Sequence, residues 1–401
     1  MMAQAISRCA PALSSAPSPG RGLGEGEPDL AQRAGAKGAQ RARHLVVAAA
    51  GTGGHVMPGL AVAQALRARG WSVSWLGTRT GIERQLVEPH GIAFDAVDFS
   101  GVRGKGLSTL LLGGFRLLRS LVQSRRILRE RRATLLFSTG GYVAVPAGLA
   151  ASMAGVPLML LNADAAPLMS TRMLRALAHG VLCGFDGEAA RLAGARGLVS
   201  GNPVRAEIAG ITDPATRYAN RSGALRVLVI GGSLGAQVLN DVVPRALALM
   251  SAARPTVVHQ CGRNHMEAAR AAYAAAGVAA EVIDFIDDMA ARYAWADVVI
   301  CRAGAITVTE LTAAGVPALL VPFVVRTTAH QRGNAEWLAA RGAAIHVPQA
   351  ELTAERLCAE LRGLTRERLT AMAQSARALG RPQATRVVAD AIEHVAAEAA
   401  R

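Results

Sequence analysis

Leu45-Val46-Val47-Ala48-Ala49-Ala50, then Gly51-Thr52-Gly53-Gly54, then a helical pattern running to Ala68, form one uninterrupted unit. A short apolar run that ends at a glycine turn and a helix predicts a parallel strand buried on both faces of a sheet. The plan returns at Leu225, where Val227-Leu228-Val229-Ile230 leads into Gly231-Gly232-Ser233-Leu234-Gly235-Ala236 and a second helical stretch. Two such strand–glycine–helix starts, about 180 residues apart, predict an α/β chain of two Rossmann-like, doubly wound domains in tandem.

Between these starts strand and helix signals alternate. Trp71 to Leu76, Thr134 to Ser138 and Pro157 to Leu161 read as strands in the first half. Thr256 to Gln260, Ala280 to Asp284, Val298 to Cys301 and Ala318 to Val321 do so in the second. Gly201-Asn202-Pro203-Val204-Arg205 breaks the pattern and marks the linker. The expected division is an extension over 1–43, a first domain over 44–205 and a second over 206–401. The last helix, about 383–399, is placed to pack back on the first domain.

The 401 residues suit two domains of ordinary size, and 51% hydrophobic content is enough for two cores. With aromatics at 4%, those cores must be built from Ala, Val, Leu and Ile. Cys9, Cys183, Cys261, Cys301 and Cys358 are scattered and form no Cys-x-x-Cys pair, which predicts reduced, mostly buried thiols and no structural zinc. The first 43 residues contain a Ser-, Pro-, Gly- and charge-rich stretch from Ser14 to Gly26 and no apolar core of a secretory signal, so disorder or a misplaced start codon is expected there. Val143 to Leu161 is uncharged over 19 residues. Pro146, Gly148, Gly155 and Pro157 divide it into a short helix and a buried strand instead of a membrane span.

The net charge of +15 predicts an anionic partner. Between Arg103 and Arg132 nine basic residues face one acid, Glu130, so that stretch alone is +8. No nucleic-acid-binding signature accompanies it, and few aromatics are available for base stacking, so no nucleic-acid partner is expected. Leu111, Phe115, Leu118 and Val122 fall on one helical stripe with Arg116, Arg119 and Arg126 beside it. That pattern fits an interfacial helix on an anionic membrane surface, and also an ordinary domain helix with a solvated basic face.

Glycine turns between strand and helix let backbone N–H groups approach an anion, and also allow tight helix–strand packing. Gly231-Gly232-Ser233 is one such turn. It matches neither Gly-x-Gly-x-x-Gly nor a Walker loop, which weighs against a dinucleotide dehydrogenase. Gly53-Gly54-His55 and Gly140-Gly141-Tyr142 are two more, each with a polar side chain after a glycine pair. His55 titrates near neutrality and suits general-base work, or it caps a helix or binds phosphate. Thr307 and Glu310 have the spacing of a capping box.

Together the motifs resemble the MurG family. They are Gly51-Thr52-Gly53-Gly54-His55-Val56-Met57-Pro58-Gly59-Leu60, Gly140-Gly141-Tyr142-Val143 with Pro146, Gly201-Asn202-Pro203-Val204-Arg205, Gly231-Gly232-Ser233-Leu234-Gly235-Ala236, Phe285-Ile286-Asp287-Asp288-Met289, and Gly304-Ala305-Ile306-Thr307-Val308-Thr309-Glu310. The resemblance runs from about His44 to the C-terminus. It implies a GT-B fold with its site in the cleft between the domains. The activity it implies is an inverting transfer of N-acetylglucosamine from UDP to an undecaprenyl-pyrophosphoryl N-acetylmuramoyl-pentapeptide in cell-wall synthesis.

By resemblance, Arg205 and Ser233 meet the donor's pyrophosphate, and Ile286 meets the uracil through its backbone. Glu310 accepts from both ribose hydroxyls, and Ala305, Ile306, Thr307, Val308 and Thr309 present amides to the phosphates. Gln331 and Asn334 bind the sugar. Thr52, Gly53 and Gly54 lie between donor sugar and acceptor, with Gly140, Gly141 and Tyr142 on the acceptor side. His55 is the candidate base. No Asp-x-Asp motif occurs, so no cofactor and no bound metal are expected. Asp164, in Leu161-Asn162-Ala163-Asp164, stands where the family carries a donor-contacting Asn. The loop Arg326-Thr327-Thr328-Ala329-His330 also departs from the family's acidic pattern.

The resemblance further implies a peripheral protein at the cytoplasmic face of the bacterial inner membrane, with UDP-N-acetylglucosamine, the lipid-linked acceptor, the anionic surface and other cell-wall synthesis proteins as partners. Alternatives within reach of the same motifs are a transferase for another lipid or glycoside, a UDP-sugar epimerase, and a non-catalytic UDP-sugar-binding protein.

Overall fold

The computed structural model describes residues 43–99, 107–232, 235–250, 254–324 and 330–401, with side chains from 113 onward in the helix Leu107–Glu130. The first sheet holds β1 (His44–Ala49), β2 (Ser72–Thr78), β3 (Ala93–Val97), β4 (Leu135–Gly140), β5 (Leu158–Asn162), β6 (Gly180–Cys183) and β7 (Gly197–Val199). Their order is β3-β2-β1-β4-β5-β6-β7, all parallel. The second sheet holds β8 (Arg226–Ile230), β9 (Thr256–Gln260), β10 (Glu281–Ile283), β11 (Val298–Cys301), β12 (Ala318–Leu320) and β13 (Ala344–His346). Their order is β10-β9-β8-β11-β12-β13, again all parallel.

Both sheets are doubly wound, with the order reversing beside the first strand of each. Ligands in such sheets bind at the carboxyl ends of the strands next to that reversal. Those ends carry the glycine turns after β1 and β8. Helices cover both faces of each sheet, so the central strands are apolar throughout, as at Leu45–Ala49 and Val298–Cys301, where every residue is buried.

The strand expectations over 71–76, 134–138, 157–161, 256–260, 280–284, 298–301 and 318–321 correspond to β2, β4, β5, β9, β10, β11 and β12 within two residues at each end. Four strands carry too little signal to be read. β7 and β13 span three residues each and β6 four, while β3 is a half-buried edge strand interrupted by Asp95. The uncharged stretch after Val143 becomes the helix Ala144–Ala154 and then β5. Gly155, left-handed at φ 67°, stops the helix. No helix among the described residues is long and apolar enough to cross a membrane.

Val204, Ile208 and Tyr218 already pack into the cores of the second sheet. The C-terminal helix Ala384–Ala399 returns to the first domain. Its Val388, Ile392 and Val395 join the core around β1 and the helix Gly53–Ala68, each burial contributing roughly 1.5–3 kcal/mol. Arg69 fixes that helix through Asp390 at 2.6 Å and Glu393 at 2.8 Å, and Trp71 Nε1 donates to Glu393 at 3.0 Å.

Candidate functional site

The first wall of the cleft is built around His55. Gly51, at φ 106°, turns the chain out of β1. The buried Glu83 carboxylate accepts from the Thr78 amide at 2.7 Å and its hydroxyl at 2.6 Å, and meets the Gly51 amide at 3.5 Å. Thr52 then heads the helix Gly53–Ala68 in an extended conformation, its hydroxyl making no cap bond. The amides of Gly53 and Gly54 lie in the first turn, where no earlier carbonyl can reach them.

His55 sits two residues further in. Its Nδ1 lies 3.0 Å from the Thr139 carbonyl, and Thr139 Oγ1 donates to the His55 carbonyl at 2.6 Å. A carbonyl only accepts, so Nδ1 carries the hydrogen and Nε2 keeps its lone pair. Burial pushes the His55 pKa down from its usual value. The Asp164 carboxylate and the Thr139 bond oppose that shift, and His330 adds to it.

Gly140 and Gly141 have a steric role. At φ 113°, a Cβ on Gly140 would stand 2.8 Å from His55 Nδ1, and at φ 82° one on Gly141 would stand 1.8 Å from the Ala50 carbonyl oxygen. The β1–β4 register also shifts between Ala48 and Ala49, which re-aims the strand end. Tyr142 is exposed beside this turn.

The second wall is the helix Ala305–Ala314, headed by Gly304. The Val308 amide already donates to the Gly304 carbonyl at 2.9 Å. The expectation that Val308 and Thr309 offer amides to phosphate is therefore corrected: from Val308 onward the helix ladder uses them, and Ala305, Ile306 and Thr307 remain. Thr309 is buried, and its hydroxyl donates to the Ala305 carbonyl at 2.8 Å. The capping-box geometry does not form, because Gly304 and not Thr307 is the cap.

Glu310 projects from this helix and is only 9% exposed. Arg205 Nη2 donates to one of its oxygens at 2.9 Å and the Tyr293 hydroxyl to the other at 3.1 Å. Burial raises its pKa, against the opposing effects of Arg205 and Tyr293. Arg205, expected on pyrophosphate, is thus paired with Glu310 in this state. The Ile286 side chain packs into the core. Its neighbour Phe285 is exposed, with the Arg263 guanidinium 5.5 Å from its ring centre.

Two expectations change here, those for Asn334 and Asp164, and a third cannot be placed. Ser233 lies outside the described residues, and the turn before it is not open to an anion. The Gly231 amide donates to the Gln260 carbonyl at 3.0 Å, and the Gln260 side chain takes both the amide and the carbonyl of Gly232, at 3.0 and 2.9 Å. Asn334, expected on the sugar, is fully buried. Its amide donates to Asp164 Oδ1 at 2.7 Å and the Ala303 carbonyl at 3.0 Å, and its oxygen accepts from the Ala165 amide at 2.8 Å. Asp164, expected on the donor, is 4% exposed and faces Asn334. Gln331 accepts from the Phe323 amide at 2.9 Å, and among the described residues its own amide group has no hydrogen-bond acceptor.

The domains therefore touch through the helix His330–Ala339. Asn334 bridges to Asp164, Trp337 packs on Phe185 with ring centres 4.7 Å apart and donates to Asp186 at 2.7 Å, and Arg341 pairs with Asp186 at 3.0 Å. Asn202 in the linker donates to the Ala163 carbonyl and to Thr309 Oγ1, each at 2.9 Å. None of Asn162, Asn202 and Gln260 carries a site role in the sequence reading, where nothing separates an amide that stitches backbone from one that binds a ligand.

On the outer face of the first domain, Phe115, Leu118 and Val122 of the helix Leu107–Glu130 are 66%, 59% and 59% exposed. The Leu111 side chain lies outside the described residues. Arg119 pairs with Asp98 at 2.9 Å and Arg126 with Glu130 at 2.6 Å, and Arg116 makes no ion pair among the described residues. The basic stripe is thus partly neutralised. Exposed pairs of this kind contribute little. Among the described residues no group of three or more His, Cys, Asp or Glu is placed to hold a metal ion.

Two family models match the chain: the glycosyltransferase family 28 N-terminal domain over residues 45–183 and the family 28 C-terminal domain over 226–395. A protein of Methylibium petroleiphilum is 56% identical over 359 residues, spanning 88% of this chain and 98% of the relative. One of Herminiimonas arsenicoxydans is 54% identical over 352 residues, spanning 88% and 98%. Both are named UDP-N-acetylglucosamine–N-acetylmuramyl-(pentapeptide) pyrophosphoryl-undecaprenol N-acetylglucosamine transferase. The crystal structure of Acinetobacter baumannii MurG superposes with a TM-score of 0.77 at 36% identity, covering 88% of this chain and 99% of that one. Two parallel doubly wound domains, the glycine turns at their strand ends and these matches agree: the chain has the GT-B fold and belongs to the MurG family within glycosyltransferase family 28.

Proposed function

We propose that the chain transfers N-acetylglucosamine from UDP to the N-acetylmuramoyl-pentapeptide of an undecaprenyl-pyrophosphate carrier, inverting the anomeric centre. The observation that carries this reading is His55. Its Nδ1 hydrogen is committed to Thr139, which leaves Nε2 as an acceptor at the edge of the first domain. Nε2 takes the proton of the acceptor hydroxyl, and that oxygen's electron pair forms the bond to the anomeric carbon. The carbon–oxygen bond to UDP breaks on the opposite face, and its pair leaves on the diphosphate.

The second domain supplies the donor site. Among the described residues Glu310 has one partner on each oxygen, so lone pairs remain for two ribose hydroxyls. Arg205 swings from Glu310 to the diphosphate when the donor enters. It is joined there by Ser233 and the amides of Ala305, Ile306 and Thr307 at the positive end of their helix. The Ile286 backbone reads the uracil, and Gln331 and the turn Thr52–Gly54 meet the sugar. Leaving-group charge is met by these groups without a resident metal. EDTA is therefore expected to leave the initial rate unchanged, and loss of rate restored by a divalent cation would reject this point.

The enzyme works from the cytoplasmic face of the inner membrane, held there by Phe115, Leu118, Val122 and the arginines beside them. Changing Arg116, Arg119 and Arg126 together to Glu is expected to abolish sedimentation with anionic vesicles, since each basic residue near such a surface contributes about 1 kcal/mol. Unchanged sedimentation would remove the membrane assignment.

The function itself is tested with labelled UDP-N-acetylglucosamine and a lipid-linked muramoyl-pentapeptide. Label passing to the lipid with equal release of UDP is expected. An altered nucleotide sugar formed without acceptor, or donor bound with no transfer, would overturn the reading.

A further inference from the structure

We propose that Phe185 is a positioning residue for the donor sugar: a side chain of the first domain that, by seating Trp337, sets where the helix His330–Ala339 holds Gln331. The inference rests on the reading of Gln331 as a sugar contact.

Gly184-Phe185-Asp186-Gly187 follows β6. A Cβ on Gly184 would stand 2.6 Å from the Ala163 carbonyl oxygen, and one on Gly187 2.8 Å from that of Ala165. Only glycine fits at either position, so the turn lies directly against residues 163–165. Phe185, between them, is 3% exposed and joins the apolar core of the second sheet together with Ala163 and Ala165. There it meets the helix His330–Ala339, whose Ala335 and Leu338 belong to the same core and whose Trp337 packs against it.

The contact has a strong part and a weak one. The Phe185 and Trp337 rings stand 4.7 Å apart between centres at 58°, a tilted aromatic pair that adds to the apolar area it buries. Trp337 Nε1 donates to Asp186 at 2.7 Å, and Arg341 pairs with Asp186 at 3.0 Å. Asp186 is exposed, so these two bonds add less.

Gln331 stands near the other end of the same helix, six positions before Trp337, or about 9 Å along the axis. Between them the first domain stays close. A Cβ on Gly333 would stand 3.7 Å from Ala166 Cβ, and Asn334 accepts from the Ala165 amide at 2.8 Å. The Phe323 amide fixes the Gln331 side chain at 2.9 Å. A helix is a stiff rod, so releasing it at Trp337 tilts it and moves Gln331. Displacements near 1 Å are enough to spoil an oriented contact. The groups read as holding UDP, Glu310, Ile286 and the amides of Ala305, Ile306 and Thr307, lie on other elements. Loss of the Phe185 seat is therefore felt by the sugar and not by the nucleotide.

By isothermal titration, Phe185→Ala is expected to bind UDP-N-acetylglucosamine about five- to tenfold more weakly and UDP within about twofold of wild type. In a Gln331→Ala background the same substitution should weaken the sugar nucleotide no further, a result that general loosening of the fold would not give. Trp337→Phe keeps a ring against Phe185 and gives up the bond to the exposed Asp186, so it should stay within about twofold for both ligands. If Phe185→Ala does not fold, Trp337→Ala opens the same contact from its partly exposed side and carries the same expectations. The proposal is overturned if UDP weakens as much as the sugar nucleotide, if neither weakens, if Trp337→Phe is as impaired as Phe185→Ala or Trp337→Ala, or if the effect multiplies with Gln331→Ala. Unchanged binding of UDP-N-acetylglucosamine by Gln331→Ala alone would instead overturn the sugar role on which it rests.

Discussion

Replacing His55 with alanine is expected to lower kcat for N-acetylglucosamine transfer by about 10²–10⁴-fold, the usual contribution of a positioned base. The dissociation constant of UDP-N-acetylglucosamine should stay within about twofold, because no donor-binding group is removed. The size of the effect follows from how the ring is held. The Nδ1 bond to Thr139 selects the tautomer, and the Thr139 hydroxyl bonds back to the His55 carbonyl, so both ring and backbone are pinned to the end of β4. A base must be unprotonated to act. Burial lowers the His55 pKa, so Nε2 stays available below the ordinary histidine value of about 6.5. The acidic limb of wild-type kcat/KM is therefore expected below that pH, and it should disappear from the residual activity of His55→Ala. Steady-state rates between pH 5 and 8, with donor binding measured by calorimetry, check both statements.

Glu310→Ala is expected to act on the other half-site, lowering kcat/KM for UDP-N-acetylglucosamine by about a hundredfold or more. Two hydrogen bonds to a charged acceptor contribute roughly 1.5–3 kcal/mol each. The loss should appear chiefly as weaker donor binding. Removing the carboxylate also strands the buried Tyr293 hydroxyl and releases Arg205, so a fall in thermal stability should accompany it. The raised pKa of Glu310 adds a pH signature. A protonated carboxyl gives up part of its acceptor capacity. Donor affinity should therefore weaken as the pH falls through a value above the ordinary carboxylate range, and Glu310→Ala should lack that dependence. Isothermal titration of UDP across pH 4.5 to 7.5 would show it.

The double α/β plan was legible because its evidence is periodic. Apolar runs such as Val227–Ile230 and glycine turns after β1 and β8 repeat at the two domain starts. β3, β6, β7 and β13 were not, since three to five residues at or near a sheet edge leave little pattern. At the site, His55 was legible as a histidine after a glycine pair at a strand end, while Glu310 was named through the family resemblance alone. Amides were not. Asn334 resembles a ligand-binding residue in sequence, but in the fold all its donors are taken by Asp164 and Ala303. Gln260 closes the turn at Gly231 and Gly232 by bonding the amide and carbonyl of Gly232. Gly140 and Gly141 read as an anion cradle, while their backbone angles and the nearness of His55 and Ala50 give them a steric role. Each of these depends on which side chain a distant strand brings near, and spacing along the chain does not carry that.

The proposed base and the proposed donor site stand on opposite walls of one cleft. This placement is tested most directly by measuring transfer to the lipid-linked acceptor and equilibrium binding of UDP-N-acetylglucosamine in parallel for wild type, His55→Ala and Glu310→Ala. His55→Ala is expected to bind donor as wild type does and scarcely transfer, while Glu310→Ala is expected to bind donor poorly and approach wild-type turnover as donor is raised. Donor binding lost in His55→Ala, or kept in Glu310→Ala, would contradict it.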